Sequence, residues 1–285
     1  MKRAFFIISC LSLFFMLSAQ KQMFIEQAIL EVHYYKTMQQ DTIRKNKIET
    51  DSMILRIGND VSQFYSYHTF FYDSIWNDPS GRKKAEELSL EAFRSQDFSK
   101  KPGVRTTHNY IYKNYPQNKK MSITTNRLVA GFIYEDDYKQ QEWTILDSTK
   151  QILNHKCKLA VCQFRGREWF AWYTQDILFG DGPWKLNGLP GLILEAYDKS
   201  RSYFYLASQI IEKDLEPIYF YNFYEKEFIP TDRTTYLGAK YDFISGVDPD
   251  KIDLINDLYW DGKKVNYLGR TPRRLLYDFQ ETDYK

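Results

Sequence analysis

The chain reads as a mainly β (α+β) protein organised on a strongly curved antiparallel sheet with a few helices. Between His108 and Ile211, short runs rich in aromatic and β-branched residues recur about every 10 residues and are broken by turn signals. Few helical patterns separate them, so hairpin connections are expected rather than βαβ units. Several runs are apolar on both alternating faces, whereas an ordinary sandwich strand would turn one clean polar face to water. A sheet curled around helices, or around an apolar cavity, uses both faces in this way.

The elements follow in order. Phe24 to Thr37 is a β-prone first strand, with Leu30, Val32 and Tyr34 in alternation. A polar segment from Gln39 to Thr50 turns the chain. Ser52 to Gly58 then reads as a strand, and Gln63 to Phe71 as a strand followed by an aromatic element. Asn77-Asp78-Pro79-Ser80-Gly81 presets a helix over about Arg82 to Ser95, whose apolar stripe is Ala85, Leu88, Leu90, Ala92 and Phe93. After Lys101-Pro102-Gly103 come the candidate strands His108–Tyr115, Met121–Val129, Gly131–Tyr134, Glu142–Leu146, Ile152–Phe164, Glu168–Tyr173, Leu192–Tyr197 and Ser202–Ile211. Thr231 to Ser245 has the signals of a helix capped by Thr231 or Asp232 and closed by Gly246, and Asp250 to Leu258 offers another. Pro272 to Lys285 is charged and weakly patterned, and a loosely held end is expected there.

The sharpest local prediction is a hairpin at Phe164-Arg165-Gly166-Arg167-Glu168-Trp169. With Gly166-Arg167 as a type II′ loop, Arg165 faces Glu168, Phe164 faces Trp169 and Cys162 faces Ala171. Trp169, Ala171 and Tyr173 then share one face, and Phe170 and Trp172 share the other.

Further on, Gly182-Pro183 and Gly188-Leu189-Pro190-Gly191 are two turns leading into a strand-length apolar run. The six residues Gly188, Leu189, Pro190, Gly191, Leu192 and Ile193 resemble, letter for letter, the signature of the GLPGLI family of secreted proteins. Trp143-Thr144-Ile145, Cys157, Phe164-Arg165-Gly166-Arg167, Ala171-Trp172-Tyr173 and Gly182-Pro183-Trp184-Lys185 extend the resemblance over the core region. Ser52 to Gly58 and Ser62 to Ser66 match its N-terminal portion more weakly, and the C-terminal third does not contribute. The resemblance implies a half-barrel similar to LolA-like folds, a curved antiparallel sheet holding helices, and it implies no particular chemistry.

Met1-Lys2-Arg3, the apolar run Ala4 to Leu17 and then Ser18-Ala19-Gln20 have the order of a secretory signal peptide ending near Gln20. That run falls short of the roughly 20 residues a spanning helix needs, and no other segment approaches it, so no transmembrane segment is expected in the mature chain. Ile7-Ile8-Ser9-Cys10 imitates a lipidation box, but cleavage there would leave Leu11 to Leu17 at the new terminus, which disfavours lipidation. Residues 21–285 are then expected as one domain, in the periplasm or associated with the outer membrane rather than free outside the cell. Removing Lys2 and Arg3 from the 39 bases leaves the same number as the 37 acids. Basic clusters are interspersed with acids and no groove-reading motif accompanies them, so nucleic acid is not an expected partner. Cys157 and Cys162, five residues apart on a strand, would be about 16 Å apart on opposite faces, beyond disulfide reach.

No Gly-x-Ser-x-Gly elbow, His-Glu-x-x-His, phosphate loop or dinucleotide fingerprint is present, so no cofactor and no catalytic residue is assigned and an enzyme is not the favoured class. Asp176 with Asp181, and Glu195 with Asp198, are paired-carboxylate candidates that capping and solubility also explain. His155, Cys157 and Cys162 do not have zinc-ligand spacing, so no metal is assigned. The candidate ligand-binding residues are Arg165 and Arg167 at a hairpin tip, suited to anionic groups, together with Trp172 and Trp184. Against this stands the plain reading of Arg165 and Arg167 as an exposed turn pairing with acids, and of the Gly-Pro signature as a kinked lead into a buried strand. The function expected is an exported binding or carrier protein for an apolar ligand, a lipid, lipoprotein part or peptide, in the concave face of the sheet. The alternative is a non-enzymatic accessory or structural module that binds a cell-envelope protein partner.

Overall fold

The computed structural model describes residues 22–40, 48–97, 103, 107–117, 119–128, 130–223, 227–247, 251–255, 259–260, 263–264 and 278–284. The expected signal segment up to residue 20, Cys10 within it, and residues 272–277 and 285 of the expected loose end lie outside them. The strands are β1 (Met23–Glu26), β2 (Leu30–Met38), β3 (Glu49–Ile57), β4 (Ser62–Ser66), β5 (Asn109–Lys113), β6 (Lys120–Leu128), β7 (Ala130–Asp137), β8 (Thr144–Ile152), β9 (His155–Phe164), β10 (Arg167–Thr174), β11 (Leu192–Asp198), β12 (Tyr203–Ile211), β13 (Ile218–Phe220), β14 (Ile229–Asp232), β15 (Tyr259–Trp260) and β16 (Lys263–Lys264). The helices are α1 (Tyr67–Asn77), α2 (Pro79–Ser95) and α3 (Arg233–Ser245).

Twelve strands form one sheet in the order β14-β7-β6-β5-β4-β3-β2-β12-β11-β10-β9-β8, flanked by two separate two-stranded ribbons. Two meanders, β2 to β7 and β8 to β12, meet where β2 pairs antiparallel with β12, Tyr35 opposite Leu206. Among the described strands, only β14 is parallel to its neighbour, β7. The sheet is open but curls tightly. One buried cluster contains Phe132 and Tyr134 of β7, Val32 and Tyr34 of β2, and Trp169 and Ala171 of β10, strands far apart in the sheet order. The core therefore lies on the concave side, and the mainly β, half-open architecture expected from the sequence is present.

Each helix begins on a side-chain cap. Ser66 accepts from the Thr69 amide at 3.1 Å, Asp78 from Gly81 at 2.5 Å with Pro79 beside it, and Asp232 from Thr235 at 2.9 Å. Gly246, with φ 87°, ends α3 in the left-handed conformation that glycine adopts without steric penalty. Helix α3 buries Tyr236, Leu237 and Ala239 in the concave mouth, while α1 lies on the convex face, where Asp73 accepts from Tyr110 and Phe70 packs on Tyr65 and Tyr221. In the α2 stripe only Ala85 and Ala92 are buried, and Leu90 and Phe93 are largely exposed. Helix α1 stands where the sequence predicts only an aromatic element after a strand, because its Tyr, Phe and Trp residues have β propensity and tertiary packing decides between the two.

Three local expectations need correction. The expected first strand is two, β1 and β2, broken before Leu30. The expected strand Ile152–Phe164 begins instead at His155, as β9, because Leu153 and Asn154 both take positive φ (47° and 67°) and form the turn from β8, which runs on to Ile152. At the β9–β10 hairpin the two-residue turn is Arg165-Gly166, with φ 54° and 77°, as in a type I′ turn, so Arg167 faces Phe164 and Trp169 faces Cys162. Moving the turn by one residue moves each partner by two, which keeps the faces: Trp169, Ala171 and Tyr173 are buried, and Phe170 and Trp172 are half-buried on the other side.

Where the sequence suggested a loose end, residues 278–284 are pinned. Arg167 binds Asp278 and the carbonyls of Phe279 and Gln280, Tyr203 donates to the Asp278 carbonyl at 2.6 Å, and the Thr282 amide donates to the Arg165 carbonyl at 3.1 Å. Charge without periodicity in the sequence concealed a strap whose acids meet arginines distant in the chain.

Candidate functional site

The signature segment crosses the concave face as an interior plug. Lys113 of β5 is fully buried and donates to Asp181, to the Gly182 carbonyl at 2.7 Å and to the Leu186 carbonyl at 3.3 Å, while Ser62 also donates to Asp181. Burial pulls the Lys113 ammonium below its ordinary range and the Asp181 charge opposes that pull. The Asn187 amide donates to Gln141 at 2.7 Å, and the Trp143 indole to the Asn187 carbonyl at 2.8 Å. Gly191 has φ 146°, and a Cβ there would collide with the Thr174 carbonyl, so only glycine lets β11 leave the loop against β10. Leu192 and Ile193 are then fully buried, and the Ile193 carbonyl accepts from Tyr34 at 2.6 Å. Gly188, Leu189, Pro190, Gly191, Leu192 and Ile193 thus shape the plug and the strand; of these only Pro190 is exposed.

The two candidate arginines are held by carboxylates of the protein itself. Arg165 pairs with Asp136 of β7 and with Asp283 at 3.3 Å; Arg167 pairs with Asp198 at 2.9 Å and with Asp278. Lys185 completes the lattice at 2.8 Å from Asp136 and 2.6 Å from Glu281, and Arg233 reaches Glu281 and Asp283, each at 2.8 Å. Trp172 is on the convex face, 4.4 Å beneath the Lys150 ammonium. Trp184 is buried and reaches the concave side. The four candidates are therefore not brought together into one site.

A cavity of about 510 Å³ lies in the concave mouth, beside the plug. Strands β2 and β3 supply Lys36, Met38, Glu49 and Thr50; β5 and β6, with the residues leading to β5, supply His108, Asn109 and Arg127. Helix α3 adds Leu237, Lys240 and Ile244, the pinned strap adds Phe279, Gln280 and Glu281, and Tyr134 and Trp184 close the wall. Lys36 occupies the inward phase of β2, after Leu30, Val32 and Tyr34 and before Met38, and is 3% exposed. Its ammonium donates to Thr107 at 3.0 Å. The Lys240 ammonium stands over the Phe279 ring at 4.8 Å, and Arg127 lies 3.2 Å from His108. Burial pushes Lys36 down to about 8 despite the opposing charges of Asp51 and Glu49. Burial, with repulsion from Arg127, Lys36 and Lys185, also pushes Lys240 down to about 8, against the pull of Glu281.

Reading the sequence for motifs missed Lys36, Arg127 and Lys240. One signal was available: a lysine in the apolar phase of a strand whose other inward positions are Leu, Val, Tyr and Met.

The remaining candidates are dispersed. Asp176 contacts His155 at 3.1 Å, Glu195 pairs with Lys150 at 2.5 Å, and Asp198 serves Arg167 and the Tyr203 amide, so neither proposed carboxylate pair shares a site. Cys157 and Cys162 are free and buried, and burial pushes their thiols up to about 11 and about 12, away from thiolate chemistry at neutral pH.

With this geometry in place, residues 165–195 match a family described as "Protein of unknown function (Porph_ging)". The matched stretch is the Arg165-Gly166 turn, β10, the plug and the start of β11. No curated protein matches the chain. Among eight matching solved chains, "Structure of PNGF-II in P21 space group" is similar at 16% identity and TM-score 0.44, over 73% of this chain and 32% of that chain. The C2 form is similar at 17% identity with the same TM-score and coverage. The chain thus spans about a third of the length of the proteins it resembles in structure. Among the described residues, no helix is long and apolar enough to cross a membrane.

Proposed function

We propose that this protein is an exported binding or carrier protein whose ligand occupies the cavity in the concave face of the sheet. The observation that carries the reading is the cavity itself, about 510 Å³ and within the size range of small-ligand sites, lined by convergent polar groups and by Met38, Leu237, Ile244 and Phe279. The sequence alone pointed to an apolar ligand. The mixed lining favours one with an apolar part and a polar end. Export to the periplasm or outer membrane rests on the basic, apolar and small-residue order of residues 1–20, and membership of the GLPGLI family on the signature at 188–193.

A second reading, an accessory module of an envelope complex, is favoured by one feature. On the convex face Phe170, Tyr197 and Phe204 stack side by side at 5.4 and 6.4 Å, half-buried, next to Trp172. Native mass spectrometry of the protein purified from its own cell envelope separates the two. A bound mass of a few hundred daltons supports the carrier, a stoichiometric protein partner supports the module, and a bare chain contradicts both.

A further inference from the structure

We propose that the ligand is an amphiphile with an anionic head, a carboxylate or phosphate, seated between Lys36 and Lys240 with its tail against Met38, Leu237 and Ile244. The inference rests on the cavity being the ligand site and adds the chemical class.

Positive charge is left over in a partly dry space. Lys36 is buried among apolar neighbours, and among the described residues no carboxylate lies within ion-pair distance of it; its contacts are the Thr107 hydroxyl and, at 5.6 Å, the Tyr205 ring. Asp51, its cross-strand neighbour, accepts from Ser66. Lys240 has only the Phe279 ring beneath it among the described residues. Glu281 also faces the cavity but is already bound by Lys185 and Arg233. Among the described lining residues, three cations, Lys36, Lys240 and Arg127, thus accompany two carboxylates, Glu49 and Glu281, the second of them held by the lattice. A buried cation without a close counter-ion is unfavourable, and an entering anion removes that penalty. The depressed ammonium groups of Lys36 and Lys240 have the same origin. The head is placed by these cations and the tail by the apolar side of the same cavity, which a small inorganic anion would leave unfilled.

The test is titration of the full mature chain with decanoate, decyl phosphate and 1-decanol, followed by calorimetry and by Trp fluorescence, since Trp184 lines the cavity. Both anions are expected to bind at least about 10-fold more tightly than 1-decanol, the factor a charge-assisted hydrogen bond contributes. Lys240→Met, and separately Lys36→Met with Lys240→Met, should remove that preference while 1-decanol binding persists. A preference for only one of the two anions identifies the head and supports the proposal. Equal binding of all three probes to the native protein overturns the anionic class and leaves the cavity reading standing. Binding of none overturns both. Should the double variant not fold, the native comparison and the single Lys240→Met variant still decide.

Discussion

The Lys185 ammonium lies 2.8 Å from a carboxylate oxygen of Asp136, and this contact ties the plug after β10 to β7, near the opposite edge of the sheet. The same ammonium reaches Glu281 of the C-terminal strap at 2.6 Å and is 1% exposed. Removing it leaves two buried carboxylates facing each other across the place where it was. Lys185→Met is therefore expected to destabilise the fold by about 3–5 kcal/mol, the usual effect of breaking a buried pair from one side. Denaturant unfolding measures it, and a change below about 1 kcal/mol would show the lattice to be dispensable.

Acid should act on the same lattice. Burial raises the Asp136 carboxyl, but Lys185, Arg165 and Arg233 together outweigh it and hold the group below its ordinary 3.8. A folded-state value below the unfolded one contributes stability that is present above about pH 4 and is lost as pH falls through the folded value. The stability gap between the native chain and Asp136→Asn is accordingly expected to narrow below pH 4. Thermal melts at pH 3 and pH 6 measure the gap, and an unchanged gap counts against the assignment.

Two glycines give opposite expectations. Gly191→Ala forces a Cβ onto the Thr174 carbonyl at φ 146° and is expected to destabilise by more than about 2 kcal/mol. Gly238, inside α3, has nothing within 4 Å of a built Cβ, so Gly238→Ala should stabilise by about 1 kcal/mol through helix propensity. Urea midpoints of the two variants, measured side by side, check both signs.

Lys240 is expected to lower stability in the empty protein. Its folded-state value of about 8 lies below the ordinary 10.5, so the charged amine is unfavourable below pH 8 and the penalty is relieved as pH rises from about 8 toward 10.5. Lys240→Met should raise Tm at pH 7 by about 2–4 °C, corresponding to about 1 kcal/mol, and the advantage should shrink by pH 10. A binding site kept at the expense of stability behaves in this way. A lower Tm for the variant at pH 7 would place Lys240 among the residues that hold the fold together.

Much of the architecture was legible in the sequence because it is written in alternation and turn residues. Apart from the boundary between β8 and β9, the strands from His108 to Ile211, the helix between Asp232 and Gly246 and the buried Trp169-Ala171-Tyr173 face follow from local pattern. The hairpin turn was misplaced by one residue because Arg165, not only Gly166, takes positive φ, and an arginine carries no turn signal. The candidate site was largely illegible. Arg165 and Arg167 looked available because the acids that bind them, Asp136, Asp198, Asp278 and Asp283, are dispersed along the chain and meet only when the sheet curls. Lys36 was visible as an oddity of phase in β2, but its partners across the cavity, Lys240 and Arg127, belong to elements that only the fold brings opposite it.

The most direct measurement is a crystal structure of residues 21–285 grown with 10-bromodecanoate, read at the bromine edge. The account places the bromine inside the concave cavity near Met38, Leu237 and Ile244, with the carboxylate at Lys36 and Lys240. Bromine found only along Phe170, Tyr197 and Phe204 on the convex face, with the cavity empty, would contradict it.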